Sequence, residues 1–362
     1  MKIVNETKLI LLCCNLDINH SLGKEIESSL KTSPDWKKIK KLAFNHKITP
    51  ILYFNLKKLN REDLIPAQIL QEMRKFYLNN LYKNTLIEKG MIDLLAKAQA
   101  QGIEPIVLKG FAFLLTLYPD PALRVMIDVD ILIKKDNLLK VRDIFQQLSY
   151  QSGEHSSYVY HTNFFKITSN QKYLNVDVHW GLLAARPYKL QLPYIWQRAQ
   201  RINLRGQKVA CLSTEDAFLV ASLHIRKHLR ELSLNYIIDI AELLKKRQGN
   251  FDWLYTEEMA SKNHFLSAVY FSLYLAKELF GVNTDSSLSR PWCLGRIKRK
   301  IIAILINKNN FFALTKGKAV LLRILLFDSC TDIFIYIGRV LLWEKFITRN
   351  ILKTHKTLPR HG

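Results

Sequence analysis

The sequence is short of cysteine, of acidic residues and of long apolar runs, and each shortage excludes something. Its five cysteines, Cys13, Cys14, Cys211, Cys293 and Cys330, are scattered over 362 residues. None shows the CxxC or Cys/His spacing of a zinc site, and an odd, dispersed set does not read as a disulfide framework. Free thiols in a reducing compartment fit this usage, which predicts a cytoplasmic protein. No run reaches the ~18 apolar residues of a membrane span. The apolar start, MKIVNETKLILLCCNLD, lacks a small-residue cleavage site and reads as an amphipathic helix rather than a signal peptide. Internal repeats and low-complexity tracts are also missing. Acids number 31 against 54 Lys and Arg, for a net charge of +23. Such a surface attracts nucleic acid, nucleotides or anionic lipid, although a lysine-rich proteome makes basic proteins without such partners. What is present in quantity is apolar residue, 48% of the chain, enough to bury a core and to exclude wholesale disorder.

From residue 7 to about 101 apolar residues recur at three and four, the helical spacing. Ser33-Pro34-Asp35-Trp36 reads as a helix start with Ser33 as cap and Pro34 in the first turn. A long helix is expected from residue 66 to about 82, continuing or restarting to 101. Strand patterns follow, with a helix over 135–148 and a hairpin formed by 158–166 and 173–180. Beyond residue 213 the pattern is helical again, opened by the capping sequence Ser213-Thr214-Glu215-Asp216. From Arg290 onward fifteen bases face three acids, with apolar stripes between them. The expected organisation is a helical region over 1–101, a mixed core over 102–212, a second helical region over 213–352 and a frayed basic tail over 353–362.

Residues 106–133 hold the chemistry. The stretch IVLKGFAFLLTLYPDPALRVMIDVDILI begins as a short strand, breaks at Lys109-Gly110, and returns as a strand over 126–133 carrying Asp128 and Asp130. Positions i and i+2 of a strand share a face, so both carboxylates should point one way. Buried carboxylates are costly unless paired or bound to a cation, and a divalent metal is the simplest partner. Asp177 and His179 stand at i and i+2 on the second hairpin strand, bringing a further acid beside the first two. On its own His179 reads as a histidine satisfied by its surroundings. His224 and His228, at i and i+4, could serve a metal but lack an evident third ligand, so helix packing explains them and Asp239 better.

A strand, a glycine-containing turn, a helix, an Asp-x-Asp strand and a third acidic strand resemble the nucleotidyltransferase superfamily with the DNA polymerase beta-like fold. LKG, LYPDPALR and MIDVDILI, with NVDVHW and EDAFLVASLH further on, are similar to the bacterial family called uncharacterised nucleotidyltransferase, related to the toxins of abortive-infection systems. The likeness covers most of residues 1–350. It implies an α+β fold: a polymerase beta-like mixed sheet core flanked by N-terminal and C-terminal helical regions. It further implies that Asp128, Asp130 and Asp177 are catalytic and hold Mg²⁺ or Mn²⁺, while Lys109, Gly110 and Arg124 meet the phosphates of a nucleoside triphosphate, ATP or another NTP. The alternative for Arg124 is a structural ion pair with Asp128 or Asp130. Implied acceptors are an RNA 3′ end such as that of tRNA, a protein side chain or a small molecule. One departure stands out: many superfamily members place Ser or a second Gly after the turn glycine, whereas Phe111 and Ala112 follow here. A degenerate nucleotide- or partner-binding module and a nucleic-acid scaffold using the basic C-terminal region are the rival readings.

Overall fold

The structure, a computed structural model, describes residues 5–153, 160–168, 171–182, 192–247, 250–282 and 295–338. Helices come first: α1 (Asn5–Cys13), α2 (His20–Leu30), α3 (Trp36–Asn45), α4 (Thr49–Lys58) and α5 (Ala67–Ala100). The core segment runs β1 (Ile106–Val107), α6 (Lys109–Leu117), β2 (Val129–Leu132), α7 (Leu138–Gln147), β3 (Gln151–Ser152), β4 (His161–Thr168), β5 (Gln171–His179), α8 (Leu192–Arg198), β6 (Gln200–Leu204) and β7 (Gln207–Cys211). Then follow α9 (Thr214–Lys227), α10 (Leu234–Lys246), α11 (Trp253–Lys262), α12 (Leu266–Phe280), α13 (Arg296–Leu305) and α14 (Lys316–Leu325). The fold is thus the expected α+β mixture. No helix among the described residues is long and apolar enough to cross a membrane.

One seven-stranded sheet runs in the order β3-β4-β5-β2-β1-β7-β6. The central pairs β2–β5 and β1–β7 are parallel, and the remaining pairs are antiparallel. All four residues of the central strand β2 are buried, Asp130 included, whereas β5 alternates buried Leu174, Val176 and Val178 with half-buried Asn175, Asp177 and His179. The expected hairpin is β4–β5, with its turn outside the described residues. A second hairpin, β6–β7, was not anticipated. Arg205 and Gly206, both at positive φ (47° and 93°), form its turn, and an Arg-Gly pair is a weaker signal than Asn-Gly.

Two expectations are corrected. The cap of α3 is Asp35, whose side chain accepts from the Lys38 N–H at 3.0 Å. Ser33 instead takes a left-handed turn at φ 52°. The acidic strand is shorter than 126–133: β2 begins at Val129, and the carbonyl of Met126 ahead of it accepts from Lys83 of α5 at 2.8 Å instead of joining the ladder.

Helix α5 is one continuous element of 34 residues. It packs against β5, and Gly90 makes that approach possible: a Cβ there would collide with the Leu174 side chain. Half a turn away its polar stripe suspends the loop before β2. Tyr77 donates to Asp120 at 2.6 Å, Asn80 to the Ala122 carbonyl at 2.6 Å, and Asn84 to the Arg124 carbonyl at 2.9 Å. The N-terminal helices also meet α10, since the Leu234 N–H donates to His46 Nδ1 at 3.3 Å and Ser233 donates to the His46 carbonyl at 2.7 Å.

Candidate active site

Asp130 lies in β2 and Asp177 in β5, and the parallel pairing sets the two directly opposite each other, with Leu132 opposite His179 two residues on. Ligand atoms of Asp130, Asp177 and His179 all fall within 4.8 Å of one another. The same oxygen of Asp130, Oδ1, receives Lys109 Nζ at 2.9 Å and faces His179 Nε2 at 2.8 Å. Burial alone would raise the Asp130 pKa, but Lys109 and His179 overcome it and hold this carboxyl well below the usual range. The effect on Lys109 is the mirror image: burial works against its ammonium, yet Asp130 prevails and its pKa rises.

Asp177 is oriented from the neighbouring strand. Asn163 of β4 donates to its Oδ1 at 2.6 Å. Asp128, one residue before β2, stands outside the Asp130–Asp177–His179 group. Its carboxyl nevertheless lines the same cavity of about 680 Å³. Burial, with Asp130 and then Asp177 adding repulsion, pushes its pKa up. Three close carboxylates with one lysine among them form the kind of setting that a cation relieves.

The turn after β1 is built differently from the sequence expectation. Lys109 adopts φ 40°, a conformation non-glycine residues seldom take, at the place where it must reach Asp130. Gly110 is small for Arg124: a Cβ here would sit 2.9 Å from the guanidinium. Phe111 is fully buried in the core and does not line the cavity, so it neither blocks nor grips a ligand.

Arg124 is held as a structural ion pair, with Asp239 of α10 rather than with Asp128 or Asp130. Its Nη2 and Nε donate to the Asp239 carboxylate at 2.6 and 2.9 Å, and Tyr118 donates to the same carboxylate at 2.8 Å. Both partners are buried. Burial raises the Asp239 pKa, and Arg124 opposes the shift. The signal for this pair was present in Asp239 and in the apolar spacing of its helix, but 115 residues separate the partners. Asn80 and Asn84 were likewise legible as an i, i+4 pair inside an apolar helix stripe.

The far wall of the cavity belongs to the C-terminal helices. His224 and His228 pack ring to ring at 4.4 Å, and His224 stands edge-on to Tyr236 at 4.8 Å. No third metal-ligating side chain joins them among the described residues, in keeping with a packing role. Burial drives the His224 pKa well down and that of His228 to about 4, with Lys227 and Lys109 adding to the latter. The buried Cys13, Cys14 and Cys211 and the exposed Cys330 are free thiols.

No curated protein matches this chain. Among solved structures, the antibiotic-resistance factor ANT(2″)-Ia in solution shares 12% identity over 49% of this chain and 91% of its own, with a TM-score of 0.37. The same factor in complex with adenylyl-2″-tobramycin shares 14% over 48% and 95%, with a TM-score of 0.35. An antigenic nucleotidyltransferase-like protein from Paracoccidioides brasiliensis shares 19% over 53% and 92%, with a TM-score of 0.33. Likeness at these levels says nothing of a substrate. Residues 32–281, more than half of the chain, match the family described as uncharacterised nucleotidyltransferase, and to that family the chain belongs.

Proposed function

We propose that this protein is a Mg²⁺-dependent nucleotidyltransferase that moves a nucleotide from an NTP to an acceptor hydroxyl and releases pyrophosphate. The observation that carries the reading is the pairing of Asp130 with Asp177 on adjacent parallel strands at the floor of a cavity. The donor set fits a hard divalent cation: carboxylate oxygens of Asp130 and Asp177, with Asp128 beside them, suit Mg²⁺, and the nearby imidazole tolerates Mn²⁺. What such a cation supplies is neutralisation of charge on the triphosphate and on the departing pyrophosphate.

The chain's own residues account for the remaining steps. Asp177, fixed by Asn163, accepts the proton of the acceptor hydroxyl. The freed oxygen forms a bond to the α-phosphorus as the bond from that phosphorus to the bridging oxygen breaks, and pyrophosphate leaves with the electron pair. His179 and Lys109 hold Asp130 ionised and in place. Gly110 and Arg124 shape the turn behind Lys109. The cavity volume lies within the range of about 300–1,000 Å³ common to small-molecule sites. The net charge of +23 favours an RNA acceptor over a neutral one, and the free thiols favour the cytoplasm.

Incubation with each α-³²P-labelled NTP, Mg²⁺ and total cellular RNA or lysate tests the reading and identifies the acceptor by what becomes labelled. Label should vanish with EDTA and with Asp128→Ala plus Asp130→Ala. Equal labelling by wild type and double variant would leave a binding module and no enzyme.

A further inference from the structure

The turn after β1 offers little to a triphosphate. Gly110 gives its open side to the Arg124 guanidinium, Phe111 is sunk in the core, and neither Phe111 nor Ala112 carries a hydroxyl. Lys109 is already engaged by Asp130. Positive charge without a carboxylate partner stands instead on the opposite wall. Lys227 ends α9 and Arg323 lies in α14, and both line the cavity that holds Asp130 and Asp177. Neither makes an ion pair among the described residues.

Lys227 is exposed as a residue, while burial of its ammonium, with Lys109 and Arg323 adding repulsion against the pull of Asp130 and Asp177, lowers its pKa, so an anionic ligand here relieves it. Arg323 is steadied by the Tyr336 ring, 4.9 Å from the guanidinium. The cavity therefore presents Asp130 and Asp177 on the sheet side and the unpaired bases Lys227 and Arg323 on the helix side, where Glu231 and Asp332 also reach the lining. A ligand complementary to both carries a divalent cation at one end and an extended polyanion at the other. Guanidinium and ammonium groups suit phosphate oxygens, the first by its fork and the second as a point charge.

We propose that Lys227 and Arg323 bind the β- and γ-phosphates of the nucleotide, so that the C-terminal helices supply the triphosphate grip that the turn at Gly110 lacks. The proposal rests on the nucleotidyltransferase reading and adds residues to it. It also gives the nucleotide a direction: the α-phosphorus faces Asp130 and Asp177, and the leaving pyrophosphate points to α9 and α14.

The test measures binding, apart from turnover. Equilibrium dissociation constants are taken for the α,β-methylene analogues of ATP, CTP, GTP and UTP and for the matching monophosphates, each with Mg²⁺, on wild type, Lys227→Ala, Arg323→Ala and the double variant. Each alanine should weaken the best-bound triphosphate analogue roughly tenfold, as loss of a charge-assisted hydrogen bond does, and the double variant more. Monophosphate binding should move less than about threefold, which doubles as a check on folding. Lys227→Arg and Arg323→Lys should restore most of the affinity. If wild type prefers triphosphate to monophosphate and the double variant keeps that preference undiminished, this inference is overturned while the enzymatic reading stands. If wild type binds no nucleoside triphosphate, both fall.

Discussion

Replacing Asp239 by alanine should be among the most damaging single changes outside the sheet. Arg124 and Asp239 are 6% and 3% exposed, so neither charge can turn to water when its partner is removed. Breaking a buried pair from one side costs about 3–5 kcal/mol, because the surviving charge stays desolvated. Here the loss is compounded, since Tyr118 donates to the same carboxylate and would lose its acceptor. Asp239→Asn keeps an oxygen for Tyr118 without the charge and should fall between wild type and alanine. The decisive comparison is the double change Arg124→Met with Asp239→Leu, which removes both charges and keeps the volume. It should recover at least half of the loss. Urea unfolding at pH 7, followed by tryptophan fluorescence, yields these stabilities, and adding the single variants Arg124→Met and Asp239→Leu closes the cycle that gives the coupling energy between the sites. A loss below about 1 kcal/mol for Asp239→Ala, or strict additivity in the cycle, would show that the pair is not desolvated as described.

Gly90→Ala drives a methyl into Leu174, which is fully buried, and overpacking of this kind should destabilise by about 1–3 kcal/mol in the same unfolding assay. Asn84→Ala removes the 2.9 Å bond to the Arg124 carbonyl and should lower stability by about 1–2 kcal/mol, while slowing label transfer through the loosened entry to β2; unchanged transfer would detach that loop from the chemistry. Acid should weaken the fold between pH 6.5 and 4. His46 and His228 have folded pKa values lowered to about 4, so the unfolded chain takes up protons first and stability present above pH 6.5 is lost as pH falls. Protonation of His46 at Nδ1 also forfeits its bond from the Leu234 N–H. His46→Asn should flatten the slope of unfolding midpoint against pH between 6.5 and 4.5; an unaltered slope would assign the acid sensitivity elsewhere.

What could be read in advance was whatever depends on neighbours in sequence. The period-two runs of β4 and β5, the Ser213 cap of α9 and the apolar spacing of α10 and α12 are local, and the structure contains them. The juxtaposition of Asp130 with Asp177 was legible as an acid on each of two strands, although their direct opposition depends on pairing order. The fate of Arg124 was not legible, since a guanidinium near two aspartates takes as partner a third that folding delivers from 115 residues away. Asp128 illustrates the other limit. Alternation predicts a shared face with Asp130 only where the strand exists, and β2 begins at Val129, one residue past Asp128, while the Met126 carbonyl is bonded by Lys83 of α5.

Helix α5 carries a phase relationship. Gly90 must face β5 while Tyr77, Asn80 and Asn84 face the loop ahead of β2, and both requirements are written along one rigid rod. Each residue advances the helix by about 100°. A single insertion between Asn84 and Gly90 would keep every side chain and rotate one set of contacts against the other by that angle. The helix is thus far more sensitive to a change of length than to most changes of sequence, and its length, as much as any side chain, sets the entry to β2.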